Sequence, residues 1–256
     1  MAIDLAKEMI KKIKLYYNWG GRLLNNPYHV KGKHINFEED RKKPFRSEVI
    51  NYLLDCLERE TTYLEIGVRN PADNFERINS TIKYSVDPGV EFKENPVDYK
   101  MTSDEFFKQL KSGYILSKDI KFDVIFIDGL HLAEQVERDI ENSLEFIKPD
   151  GFIVLHDCNP PTEWHAREEF HYDLSPARNF WNGTTWKAFF KYRQDSRLSS
   201  ICIDTDWGVG VLTKQDVFNR LKCNINPYFE FNKLNKNRKE SLNLTSYDEF
   251  KSLVKA

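Results

Sequence analysis

The pattern of apolar and polar positions changes character near residue 47. Before it, residues 2–17 set Ile3, Ala6, Met9, Ile10, Ile13, Tyr16 and Tyr17 on one side of a helix, with Lys7, Lys11, Lys12 and Lys14 on other faces. Such a basic amphipathic helix could lie on a membrane or a partner, or pack on its own domain or across a dimer. Residues 18–46 are rich in Gly, Asn, Pro, His and Lys and show little periodicity, which predicts a long connection or lid. From Ser47, which can cap a helix, Val49, Ile50, Leu53, Leu54 and Leu57 recur at helical spacing.

Beyond that helix, strand and helix signals alternate. Strands are predicted over 61–68, 82–86, 122–127 and 152–155, with helices over 74–78, 104–110 and 131–147 and a turn at 148–151. The run Phe122-Asp123-Val124-Ile125-Phe126-Ile127 is nearly continuous, as expected of a strand buried on both faces. A helix over 183–193, strands over 200–204 and 207–213, and a last helix near 246–254 complete the reading. The alternation implies an α/β domain with a mostly parallel sheet wrapped on both sides. It spans 47–213, after an N-terminal helix and connection over 1–46 and before a C-terminal appendage over 214–256.

Composition narrows the classes. The chain has 256 residues, 40% hydrophobic and 30% charged, which disfavours intrinsic disorder. A net charge of -2 disfavours a chain built to coat nucleic acid. Cys56, Cys158, Cys202 and Cys223 form no C-x-x-C pair, as suits reduced thiols in the cytoplasm. No apolar run approaches the ~20 residues of a membrane span, and the N-terminus lacks a signal peptide's apolar stretch. Assembly into a homo-oligomer stays open.

In an open parallel sheet, ligands gather outside the carboxyl ends of the strands. Here those ends carry Glu65-Ile66-Gly67-Val68-Arg69-Asn70, then Asp87, then Asp128-Gly129-Leu130-His131, then His156-Asp157-Cys158-Asn159. Gly67 is the only glycine between residues 33 and 88, so the glycine-rich cradle of a dinucleotide site is absent. Asp87 nevertheless stands where a carboxylate meets ribose hydroxyls. The pair asks for a nucleoside without phosphates and with a cationic end.

Across residues 47–213 the chain resembles the class I S-adenosylmethionine-dependent methyltransferases. Leu64-Glu65-Ile66-Gly67-Val68 is similar to their first motif and Tyr84-Ser85-Val86-Asp87-Pro88-Gly89 to their second. Phe122–His131 and Lys148–Asn159 are similar to their fourth and fifth strands. The resemblance implies a Rossmann-like, mostly parallel sheet with an antiparallel last strand and helices on both faces. It implies S-adenosylmethionine as cofactor, with Glu65 and Gly67 at its methionine end, Asp87 at the ribose, and Asn70 and Asp128 also against it. Arg69-Asn70-Pro71-Ala72-Asp73-Asn74 replaces the further glycines of many relatives, so Asn side chains are expected to serve that loop.

Asp128–His131 and His156–Asn159 resemble the metal-dependent O-methyltransferases, particularly bacterial enzymes acting on sugars and secondary metabolites. The resemblance implies a divalent metal held by Asp128, His156 and Asp157, with Asn159 as substitute ligand. Oxygen donors with one imidazole suit Mn or Fe(II) as well as Mg. His131 is expected to be the general base, or a further ligand. The aromatic stretch over 158–187 would form an acceptor pocket. The helix start near residue 184, with Arg178 and Lys187, could meet a phosphate. These features imply a sugar or nucleotide-linked sugar as acceptor, methylated on a hydroxyl in bacterial surface polysaccharide biosynthesis. Another small metabolite, a dinucleotide-binding domain and a non-catalytic scaffold are the competing readings.

Overall fold

Strands β1 (Thr62–Ile66), β2 (Ile82–Val86), β3 (Phe122–Ile127) and β4 (Ile147–Leu155) run parallel. They alternate with α3 (Arg46–Cys56), α4 (Ser103–Lys111) and α5 (Ala133–Phe146). After α6 (Thr185–Tyr192), β5 (Ser199–Ile203) and β6 (Val209–Thr213) form a hairpin. The computed structural model describes residues 2–92, 94–172, 174–218, 221–223 and 225–254, with residues 2–4 described by backbone alone. With β7 (Leu244–Thr245) the strands form one sheet in the order β2-β1-β3-β4-β6-β5-β7. The sheet is Rossmann-like. β6 runs antiparallel to both neighbours, while β7 pairs parallel with β5.

Side-chain parity sorts the core. Leu64, Ile66, Ile125 and Ile127 face one layer, under α4, α5 and α6. Tyr63, Val124 and Phe126 face the other, under α3 and the C-terminal α9 (Tyr247–Val254). Glu65 shares the parity of Tyr63, so it points to the α3 side. The chain leaves β1 for β2 on one side and later crosses to β3 on the other. The gap between β1 and β3 is therefore the switch in strand order where ligands bind. Because β6 is antiparallel, its start and the end of β5 lie at the same edge as the ends of β1–β4. Leu155 pairs with Gly210 and Ile203 with Val209. The β5–β6 turn thus reaches the functional edge.

Four local expectations change. Residues 18–46 are mostly helical. α1 runs Ala2–Leu24, and α2 runs Pro27–Asp40, started by Pro27 and by Asn26, whose side chain accepts from the Tyr28 amide. Apolar periodicity missed α2 because its buried side is His29, Gly32 and Asn36, small or polar residues that face the segment after β4. Ser47 lies buried inside α3 rather than capping it. Phe45 holds the cap position, and Glu48 accepts its amide at 2.8 Å. Lys148–Gly151 belongs to β4 as an irregularity: the partner of β3 jumps from Ile147 to Phe152 between Phe122 and Val124. Residues 74–78 form 3₁₀ turns, Pro71–Asp73 and Phe75–Arg77, rather than one short helix.

After β6, α7 (Phe231–Lys236) and α8 (Arg238–Leu242) lead into β7 and α9. Among the described residues no helix is long and apolar enough to cross a membrane.

α2 seats on the segment after β4 at a close backbone approach. A Cβ on Gly32 would stand 2.1 Å from the Pro176 carbonyl oxygen. Asn36 donates to the Ala177 carbonyl at 3.1 Å. Gly32→Ala should force the two apart and cost about 1–3 kcal/mol, as overpacking does. A lowered melting temperature, with a rise in amide exchange confined to α2 and residues 160–182, checks this.

Candidate active site

Gly67 brings the first and third strand ends together. It has φ +84°, and a Cβ there would lie 2.3 Å from Gly129 Cα. The Asp128 amide donates to the Ile66 carbonyl at 2.8 Å, so the Asp128 loop crosses directly over Gly67. Only a residue without a side chain fits.

Several of the residues expected at the cofactor are engaged with the protein itself. The Asp87 carboxylate accepts from the Arg69 amide at 2.9 Å and the Gly89 amide at 2.6 Å. Asn70 caps the 3₁₀ turn that follows it through the Ala72 amide. Glu65 is buried and receives the Tyr63 hydroxyl at 2.5 Å and the Asn74 amide at 2.8 Å on one oxygen. Burial pushes its carboxyl up to about 7, although Tyr63 and Asn74 favour the ionised form.

Asp128, His131 and Asp157 converge: a donor atom from each lies within 4.8 Å of the others. His131 Nε2 is 3.3 Å from Asp128, and Nδ1 is 3.1 Å from Asp157 and bonded to the Trp181 carbonyl at 3.1 Å. Asp157 has φ +60°, a left-handed turn that Asp tolerates, and its other oxygen accepts from Asn182 at 2.7 Å. His156 stands beside this group. Its Nδ1 is 3.2 Å from Asp128 and 3.3 Å from Asp157, and its Nε2 is 3.3 Å from Asp206. Arg46 completes the set, 3.6 Å from Asp128 and 3.2 Å from Asp206.

The electrostatics follow from crowding. Burial opposes the charges of His131, His156, Asp128 and Asp206, and the pairings win. Burial pulls His131 toward neutrality, but Asp157 and Asp128 push it up to about 9. His156 is likewise held well above the usual imidazole range by Asp128 and Asp157. Burial would raise Asp128, yet His156, His131 and Arg46 keep it well below the usual carboxylate range. Asp206 is lowered by His156 and Arg46 against the same burial.

Sequence reasoning missed Arg46 and Asp206. Arg46 fell in the presumed connection, and Asp206 in a turn between strands. The signal for Asp206 was available, since it follows a strand end at the functional edge. Asn159 turns away from the cluster: it donates to Asp204 at 3.2 Å and accepts from Arg238 at 2.6 Å. Lys187 is paired with Glu168 at 3.3 Å. The aromatic segment does reach the cluster, for Trp181 stacks on His131 with centroids 5.2 Å apart.

Residues 46–158 match the model of a family described as a methyltransferase domain. The match spans the strands whose ends carry the Asp128–Asp157 cluster, and the sheet order is Rossmann-like. The protein is similar in structure to an O-methyltransferase described as putative from Klebsiella pneumoniae, at 12% identity over 77% of this chain and 94% of that one, TM-score 0.43. A methyltransferase from Podospora anserina, solved with S-adenosylhomocysteine, is 15% identical over 82% of this chain and 96% of that one, TM-score 0.42. An O-methyltransferase of tomaymycin synthesis from Streptomyces achromogenes, solved with S-adenosylmethionine, is 13% identical over 74% and 90%, TM-score 0.40. No curated protein matches the chain.

Glu65 gives a pH test. Its folded carboxyl, near 7, lies above the unfolded value of 4.5, so its share of stability is intact below 4.5 and lost as pH rises through 7. The full loss is about 3 kcal/mol. Glu65→Gln, which still accepts from Tyr63 and Asn74, should gain on the native chain between pH 4.5 and 7 and hold a constant lead above. Parallel denaturation curves at every pH would contradict this.

Proposed function

We propose that the protein is an S-adenosylmethionine-dependent O-methyltransferase that uses a divalent metal to activate an acceptor hydroxyl. The observation that carries the reading is the convergence of Asp128, His131 and Asp157 at the strand-order switch, beside Glu65, Gly67 and Asp87. Two carboxylates and one imidazole suit Mn, Fe(II) or Mg. The surrounding bonds suit a ligand set. The Trp181 carbonyl engages His131 Nδ1, leaving Nε2 toward Asp128, and Asn182 occupies one oxygen of Asp157, leaving the other toward His131.

We assign His131 to the ligand set in place of His156. The His156 ring is bracketed by Asp128 and Asp157 on one side and Asp206 on the other, which suits a counter-charge rather than a ligand. A bound metal would lower the pKa of an acceptor hydroxyl. The protein's own part is to hold the acceptor oxygen in line with the sulfonium methyl. The methyl would pass from sulfur to oxygen as the S–CH3 bond breaks, the hydroxyl proton would pass to water, and S-adenosylhomocysteine would remain. The stacked ring of Trp181 suits a flat or pyranose acceptor, in keeping with a sugar or nucleotide-linked sugar of bacterial surface polysaccharide. The free cysteines suit a cytoplasmic location.

S-adenosylmethionine should raise the melting temperature and NAD should not; at 100 times its dissociation constant a ligand adds about 2.7 kcal/mol. Asp87→Ala should lose most of the shift. Asp87→Asn, which keeps an acceptor for the Arg69 or Gly89 amide, separates lost ribose contact from a disturbed loop. A shift with NAD alone would overturn the cofactor assignment.

Chelation should abolish methyl transfer to a nucleotide-sugar panel and leave S-adenosylmethionine binding intact, with Mn or Fe(II) restoring at least as much as Mg. His131→Ala should lower kcat about 10²–10⁴-fold together with bound metal. A variant that loses kcat but keeps its metal makes His131 the base instead. Full turnover in excess chelator removes the metal from the reaction.

A further inference from the structure

Among the described residues, α1 meets no partner along most of its length. Every side chain from Leu5 to Trp19 is exposed, and Met9, Ile10, Ile13, Tyr16 and Tyr17 are each more than half exposed. At 1.5 Å per residue its 23 residues reach about 34 Å. At 100° per residue, Leu5, Tyr16, Met9, Ile13, Ala6, Tyr17 and Ile10 fill a continuous apolar arc of about 140°. Lys12 borders that arc on one side and Lys14 on the other, with Lys7 and Lys11 behind and Trp19 beside Lys12.

Charge separates the helix from the body. Residues 2–24 hold five basic and two acidic residues, a net +3, while the whole chain is -2, which leaves the remainder at -5. Two α1 helices laid face to face would bring two cationic borders together. The arc is also wider than the two-position seam of a helix pair. Lysines flanking both edges of an apolar face, with aromatic rings at its end, match a helix lying in the headgroup region. The lysine stems cover apolar surface there while their ammonium groups meet phosphate.

We propose that α1 docks the protein on an anionic lipid surface, lying flat in the interface with the Leu5–Tyr17 arc in the acyl boundary. The proposal is independent of the methyl-transfer reading.

The test is co-sedimentation of the full chain with phosphatidylcholine vesicles, with and without a third of phosphatidylglycerol. Binding should require the anionic lipid and weaken with added salt. Lys12→Gln with Lys14→Gln should weaken it roughly 25-fold, since each surface lysine contributes about 5-fold. Ile10→Asp with Ile13→Asp should abolish it at any salt, while the melting temperature stays native because both positions are solvent-exposed. The proposal is overturned by equal binding to both vesicle types, by undiminished binding of the Asp variant, or by a solution dimer that the Asp variant converts to monomer. The last result assigns the face to a second copy.

Discussion

Three carboxylates drawn to one edge of a sheet must be matched in charge. Asp128, Asp157 and Asp206 come from three different strand ends, and parallel or antiparallel pairing alone places them there. Arg46 and the two imidazoles compensate them. That requirement explains placements that packing does not. α3 must begin at the cluster so that Arg46 can reach two carboxylates. The β5–β6 turn must hold Asp206 and Trp207 at left-handed φ, +41° and +63°, so that Asp206 faces His156. Such backbone costs on the order of 1–3 kcal/mol per residue and persists where surrounding bonds fix it. Here the Arg46 amide fixes it, donating to Asp206 at 2.7 Å.

The segment between β4 and α6 is irregular yet strongly tied. Arg167 donates to five carbonyls, those of Trp164, Glu169, Phe170, Arg178 and Phe180, at 2.6–3.1 Å. Trp181 Nε1 donates back to the Arg167 carbonyl at 2.7 Å. His165, lowered to about 3 by burial and by Arg167, stays neutral and bridges Thr162 to Asn36 of α2 at 2.7 Å on each side. A chain of backbone acceptors therefore carries the position of α2 through to the ring that stacks on His131.

Strands buried on both faces announce themselves by composition, so β1, β3 and the end of β4 were legible, and β2, half exposed at the sheet edge, was read from its β-branched and aromatic residues before Asp87-Pro88-Gly89. The strand ends were legible for the same reason, because the first polar residue after an apolar run marks the sheet edge. That rule places Asp87, Asp128 and His156 at the sheet edge. It could not tell that both imidazoles face both carboxylates, since that depends on the Asp157 backbone turn and on Trp181, fifty residues beyond His131. α2 was illegible because it buries His, Gly and Asn, residues that no hydrophobic pattern records. Arg46 and Asp206 were hidden by distance along the chain: 160 residues separate two side chains that share an ion pair.

The tail offers a different consequence. β7 is two residues long, yet Cys202 and Ile203 of β5 find their parallel partners there, and Phe250 of α9 is fully buried beneath the same strands. Without β7, the end of β5, a strand whose five residues are all buried, would present unpaired amides and carbonyls as an open template for a neighbouring chain. What looks along the sequence like trailing material is, in space, a hem over the end of β5, made of residues far from the Asp128–Asp157 cluster.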